Sequence, residues 1–193
     1  MRKNYQIMTP TISTERWTYQ DMVKKLPAES RYELRNHNLI EMASPKPKHQ
    51  DIVANIYDCL KPFIKANELG KIFLAPLDVV FQKGDSCQPD LIFVSTTNKN
   101  IIKESYLSGV PDLLVEVVSK GSVARDYVEK KNDYEKFGVK EYWIIDSMNE
   151  SIWVYTLNET AKYELFSYAE EGEKALSKLL PEFSLDHKLI FEE

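Results

Sequence analysis

A single carboxylate interrupts the most apolar run of the chain. Asp112-Leu113-Leu114-Val115-Glu116-Val117-Val118 has the composition of a central strand buried on both faces. An ionised Glu116 among Leu114, Val115, Val117 and Val118 is costly unless a cation or hydrogen bonds compensate it. A second carboxylate, Asp90, follows Gln88-Pro89 at the head of another strand pattern, 26 positions before Glu116. Pro89 fixes its own φ and removes a backbone donor, which suits a strand start. Each acid also has an ordinary reading, Glu116 as half of a buried ion pair and Asp90 as a turn residue. Together, two carboxylates converging on one sheet suit Mg²⁺, which takes one or two protein carboxylates and leaves its other positions to water and phosphate oxygens. The chemistry of such a centre is metal-assisted phosphodiester hydrolysis. The metal lowers the pKa of a bound water and neutralises charge on the scissile phosphate, and a nearby lysine orients the water or stabilises the transition state.

Strand periodicity gives that lysine an expected place. Side chains at 114, 116 and 118 share a face, so a strand-borne partner of Glu116 belongs at position 118, which is valine. The cation must come from elsewhere or the site is inactive. The pattern from Asp126 to Phe137, closed by Gly138, reads as a helix with an inner stripe of Tyr127, Tyr134 and Phe137, and Lys130 falls on that stripe. Lys130 is therefore the expected partner, against the alternatives of a stem snorkelling to the surface or a pair with Asp126 four residues back. Lys131 and Lys136 fall off the stripe and are expected in solvent.

The elements that position these groups make an α/β pattern. Ser13-Thr14-Glu15-Arg16-Trp17 offers a hydroxyl cap to a short helix ending around Lys25-Leu26-Pro27. Tyr32-Glu33-Leu34 and Leu39-Ile40-Glu41-Met42, joined at Asn36-His37-Asn38, read as a hairpin. After the stiff Pro45-Lys46-Pro47-Lys48, the residues Ile52, Ile56, Leu60, Phe63 and Ile64 recur at helical spacing until Gly70, with Pro62 a candidate kink. Lys71 to Ala75, Leu77 to Gln82 and Leu91 to Ser95 read as consecutive strands, and Thr96 to Gly109 as a polar loop. Glu141 to Asp146, Ser151 to Leu157 and Tyr163 to Tyr168 read as further strands, and Ala175 to Leu180 as a short closing helix. The expected organisation is a single domain over 1–193: an N-terminal extension 1–29 bearing a helix, a core 30–157, and a C-terminal strand and short helix in 158–193.

Composition narrows the partners. With 193 residues, 43% of them apolar, the chain has enough material for one packed core. No stretch approaches the roughly 18 apolar residues of a membrane span, and the first residues lack an apolar run of signal-peptide length. A cytoplasmic protein with no membrane partner is expected. Cys59 and Cys87 form no metal-binding spacing, and a disulfide between them is a minor alternative. The formal net charge of −5 excludes holding nucleic acid by overall field, so any such contact needs a local basic patch, for which Lys46, Lys48, Lys120, Arg125, Lys131 and Lys140 are available. No helix-turn-helix, zinc-finger or RNP-like motif is visible.

Tyr32-Glu33-Leu34, His49-Gln50, Gln88-Pro89-Asp90, Val115-Glu116-Val117-Val118-Ser119, Arg125-Asp126, Lys130, Tyr134 and Gly138-Val139-Lys140-Glu141-Tyr142-Trp143-Ile144-Ile145-Asp146 together resemble, in order and spacing, the Uma2 family of restriction endonucleases, over about residues 30–157. The resemblance implies a restriction-endonuclease-like core of the PD-(D/E)XK type, a mixed central sheet flanked by helices. It implies Asp90 and Glu116 as ligands of Mg²⁺ (alternatively Mn²⁺), Lys130 as a lysine migrated from strand to helix, and Glu33 assisting the metal shell. His49, Ser119 and Arg125 are implied on the substrate side, with DNA as substrate, a homodimer with one site per strand, and no organic cofactor. The hairpin glycine of the family pattern is replaced around His37-Asn38, which Asn tolerates because it visits left-handed conformations. Two other readings fit the residues. The acidic charge and Val118 favour a non-catalytic interaction module, and a deep enclosed pocket would favour a hydrolase of a small phosphorylated molecule. Lys130 pointing at Glu116 discriminates against the first. Trp153 and Tyr155 read as core, with a subunit interface as the alternative.

Overall fold

Alternation along the central strand divides the hydrophobic interior into two cores. The computed structural model describes residues 16–27 and 30–192. In it, β8 (Leu113–Val118) is buried at every position. Leu113, Val115 and Val117 pack with Ile52, Ile56, Leu60 and Ile64 of the long helix α2 (Pro47–Ala66). Leu114 and Val118 pack on the other face with Tyr134, Val139 and Tyr142. The two-residue repeat of a strand puts Glu116 on that second face.

β8 lies in a six-stranded sheet ordered β11-β10-β9-β8-β6-β3, with β3 Gly70–Leu74, β6 Leu91–Ser95, β9 Glu141–Asp146, β10 Ser151–Leu157 and β11 Tyr163–Ala169. β8 and β9 are parallel and the other neighbours antiparallel, so the sheet is mixed. The parallel pair carries the two most continuous apolar runs, as burial on both faces requires. A second sheet, β2-β1-β5-β4-β7, is built on the hairpin β1 (Tyr32–Arg35) and β2 (Asn38–Glu41) with β4 Val79–Gln82, β5 Asp85–Cys87 and β7 Leu107–Ser108. Its turn residues Asn36 and His37 have φ of 48° and 67°, the paired left-handed conformation that two-residue hairpins need.

α2 starts with Pro47 in its first turn, where the missing N–H costs nothing, and runs on through Pro62 to Ala66. The N-terminal helix α1 (Tyr19–Lys25) is capped by Thr18, whose hydroxyl accepts from Asp21 N while Asp21 accepts from Thr18 N. The expected cap at Ser13-Thr14 lies outside the described residues. β5 and β7 escaped the sequence reading, as did a third short strand at Ser184–Asp186. β5 and β7 are three and two residues long, too short for any periodicity, and β7 falls inside the expected loop, which also holds a 3₁₀ turn at Thr96–Ile101.

The expected closing helix at Ala175 to Leu180 is corrected. Lys174–Leu176 forms β12, paired antiparallel with β13 (Ser184–Asp186). The amides of Lys178 and Leu179 then donate to the buried carboxylate of Glu141, at 2.8 and 2.9 Å, rather than to helical carbonyls. The closing helix is α4, His187–Phe191, capped by Asp186.

Candidate active site

Three elements converge on Glu116. The helix after β8 is π-helical over Arg125–Lys130 before it continues as α3, Lys131–Phe137. The wider π turn holds Asp126, Lys130 and Tyr134 on the buried side. Lys130 Nζ lies 2.8 Å from Glu116 Oε1, and the Tyr134 hydroxyl donates to the same oxygen at 2.6 Å. On its other side Lys130 meets Glu33 Oε1 of β1 at 3.1 Å. That oxygen also accepts from Gln88 N at 3.0 Å, fixing the Gln88-Pro89-Asp90 corner to the hairpin. Gly138, at φ 85°, ends α3 in the left-handed conformation.

Asp90 stands just before β6, where the β6–β8 ladder stops at the pair Leu91↔Val115. Its Oδ2 takes over the next free amide, accepting from Val117 N at 2.8 Å, and pairs with His49 Nε2 of the first turn of α2 at 3.1 Å. Asp90 therefore terminates one strand ladder while lying beside Glu116 at the end of the sheet.

The cluster holds more negative than positive charge, and its protonation follows from that. Burial, reinforced by Asp90, Asp126 and Glu33, outweighs the attraction of Lys130 and pushes the Glu116 carboxyl up to about 8. Burial alone would lower Lys130, but Glu116, Glu33 and Asp126 together hold the ammonium well above the ordinary lysine value. Burial also raises the Asp126 carboxyl, and it keeps the Tyr134 hydroxyl protonated as a donor.

Asp90, Glu116, Asp126 and Lys130 line one cleft of about 310 Å³. The bonds to Glu116 fall on Oε1 and those to Asp90 on Oδ2. Glu116 Oε2 and Asp90 Oδ1 accept no hydrogen bond from the described residues. Two such oxygens on one cleft fit a hard divalent cation that keeps most of its shell for water and phosphate. Among the described residues no group of three or more His, Cys, Asp or Glu forms a fuller cage.

The structure brings Asp90, Glu116, Lys130, His49, Ser119 and Arg125 to this cleft. It does not bring Glu33, which lies behind Lys130 in a separate small pocket with Cys87 and Tyr134 and reaches the cleft through Lys130 and the Gln88 amide. Ser119 donates its hydroxyl to Ser122 Oγ at 3.3 Å, within the turn that leads into the helix. The expected basic patch is dispersed. Lys46, Lys120 and Arg125 line the cleft, whereas Lys48 pairs with Glu150, Lys140 with Asp112, and Lys131 lies over the ring of Tyr155. Lys131 is thus only partly in solvent. Trp153 and Tyr155 are half-buried against the second core. Cys59 and Cys87 are both free. Arg31 and Asp126 line the cleft unforeseen as site residues; Asp126 had a signal, a carboxylate one turn from Lys130 on the same stripe, and Arg31 had none.

A family model named Uma2 and described as "Putative restriction endonuclease" matches residues 18–188. The chain belongs to the Uma2 family. The match reaches beyond the quoted motifs to take in α1 and the β12–β13 hairpin, so the Uma2 unit includes both flanks of the core. A crystal structure described as a "putative nuclease belonging to DUF820", from Anabaena variabilis ATCC 29413, has a TM-score of 0.73 at 20% identity, covering 90% of this chain and 97% of that one. The restriction-endonuclease-like α/β fold is therefore shared. No curated protein matches the sequence.

Proposed function

We propose that this Uma2 protein is a divalent-metal-dependent endonuclease hydrolysing DNA phosphodiester bonds, with Asp90 and Glu116 as ligands of Mg²⁺ or Mn²⁺. The observation that carries the reading is Lys130 Nζ at 2.8 Å from Glu116 Oε1, which supplies from the helix the cation that Val118 denies to the strand. A bound metal would activate water and neutralise phosphate charge. Lys130 orients the attacking water and stabilises charge on the phosphoryl oxygens, and remains protonated because three acids surround it. Tyr134 fixes the Glu116 carboxylate, and His49 with Val117 N fixes Asp90. Glu33 holds Lys130 in place from behind.

The cleft mouth is formed by exposed Ala43, Ser44, Lys46, Lys120 and Gly121, which suits a polymer better than an enclosed small molecule. A cytoplasmic location and a homodimer belong to the same proposal. No helix among the described residues is long and apolar enough to cross a membrane. The exposed side chains Leu165, Phe166 and Tyr168 of edge strand β11 offer the apolar contact a dimer needs, in place of Trp153 and Tyr155.

Calorimetric titration of Mg²⁺ or Mn²⁺ tests the metal assignment, with Asp90→Asn and Glu116→Gln beside the wild type. Binding by wild type and at least a tenfold loss in both variants is expected; equal binding by all three folded proteins contradicts the assignment.

A further inference from the structure

The mouth of the cleft contains two guanidinium groups tied to one short stretch of chain, Met42-Ala43. Arg31 immediately precedes β1, and its carbonyl accepts from Met42 N at 2.9 Å across the open end of the hairpin. Arg31 Nη1 donates to Ala43 O at 3.4 Å, and Arg125, the first residue of the π-helical turn, directs Nη1 to Met42 Sδ at 3.3 Å. Two cations from distant parts of the chain are thus anchored at Met42-Ala43, and both line the cleft that holds Asp90 and Glu116.

Neither anchor satisfies its arginine. The Nε atoms of Arg31 and Arg125 are both buried and without a hydrogen-bond partner among the described residues. The nearest acid, Asp126 Oδ1, is 3.8 Å from Arg125 Nε, an ion pair too long for a hydrogen bond. A buried guanidinium N–H without an acceptor is costly unless water or a ligand supplies one, and both arginines line the cleft in which a ligand would lie. A guanidinium fork matches a carboxylate or a phosphate, and in the cleft of the proposed nuclease the phosphates of the strand are the acceptors at hand.

We infer that Arg31 and Arg125 form a two-pronged clamp for a backbone phosphate of the nucleic-acid strand, next to the phosphate at Asp90 and Glu116; this rests on the proposed nuclease function. The clamp supplies local positive charge that a chain of net charge −5 lacks overall. It contacts phosphate rather than bases, so it sets the position of the strand without reading its sequence.

The test measures binding without catalysis. Fluorescence anisotropy of a labelled duplex oligonucleotide, in chelator and over a series of salt concentrations, compares wild type with Arg31→Gln, Arg125→Gln and the double variant. Lys61→Gln, remote from the cleft, serves as control. Each arginine variant is expected to weaken binding roughly tenfold and to reduce the slope of log affinity against log salt by about 1, and the double variant by about 2. Arg31→Lys and Arg125→Lys retain the charge and guard against misfolding of the glutamine forms; they should keep most of the slope while losing affinity. Wild-type protein that binds no duplex, or arginine variants with the slope of wild type, would overturn the clamp. Failure of the nuclease function looks different: the arginines still govern binding, but metal and the two carboxylates produce no cleavage.

Discussion

At the scale of single residues, the candidate site is built from side chains that break the rules of their element. Glu116 in an apolar strand and Lys130 on an apolar helical stripe each violate a packing expectation, and the structure shows them satisfying one another at 2.8 Å. The hydroxyl of Tyr134 and the cation of Arg31 break no such rule, since a buried tyrosine and a lysine- or arginine-bearing loop are ordinary, so their places had to come from the fold. Crowding of acids around Glu116 has a measurable consequence. The folded protein holds the Glu116 proton up to about 8, whereas an unfolded glutamate releases it near 4.5. Between those values the folded state binds more protons, so stability falls as pH rises through the window, and the penalty is complete above it. Lys130 is charged throughout that window and adds no slope. Thermal melts from pH 5 to 8 should therefore show a declining Tm for metal-free wild type. The decline should be shallower in Glu116→Gln and in protein saturated with Mg²⁺, which replaces the proton. A Tm profile unchanged by that substitution would show that Glu116 is already ionised.

At the scale of elements, long patterned segments were legible and short or tertiary-determined ones were not. α2, β8, β9 and β10 follow their hydrophobic periods closely. The π turn at Arg125–Lys130 leaves no mark in the sequence, because the same stripe fits a regular helix. The Ala175–Leu180 segment misled because its apolar spacing is helix-like, yet its amides are claimed by Glu141. That carboxylate also accepts from Trp143 Nε1 at 2.7 Å and Ser177 Oγ at 2.6 Å, so four donors converge on one fully buried group. Replacing it strands all four, and charge-assisted bonds lost from a buried site make Glu141→Ala destabilising by roughly 3–5 kcal/mol. Chemical denaturation should show that loss, with metal affinity of the remaining folded protein unchanged because the tie serves the C-terminal hairpin and not the cleft. A loss below about 1 kcal/mol would mean that water replaces the carboxylate.

At the scale of the whole molecule, the two cores explain why the site lies where it does. α2 covers one face of the central sheet and presents His49 to Asp90; α3 and the π turn cover the other and present Lys130 to Glu116. The hairpin sheet closes the cleft from the side: its Glu33 backs Lys130, and Arg31, just before β1, lines the cleft. The mixed α/β architecture could be read from the order of elements, but the pairing of β1 with β5 and the second sheet depend on contacts distant in sequence. Arg31, Lys46, Lys120, Arg125 and Lys130 line the cleft, so the proposed nucleic-acid contact does not depend on the overall charge of −5.

In the proposed mechanism the helix-borne lysine completes a metal-dependent hydrolytic site. Cleavage of supercoiled plasmid by metal-loaded wild type and Lys130→Gln tests it most directly, with metal binding of both measured by calorimetry on the same samples. Wild type should nick the plasmid, and Lys130→Gln should do so at least a hundredfold more slowly at comparable metal occupancy, as expected for loss of a group that stabilises charge in the transition state. A metal-loaded wild type that leaves DNA intact, or a Lys130→Gln protein that cleaves as fast as wild type, would contradict it.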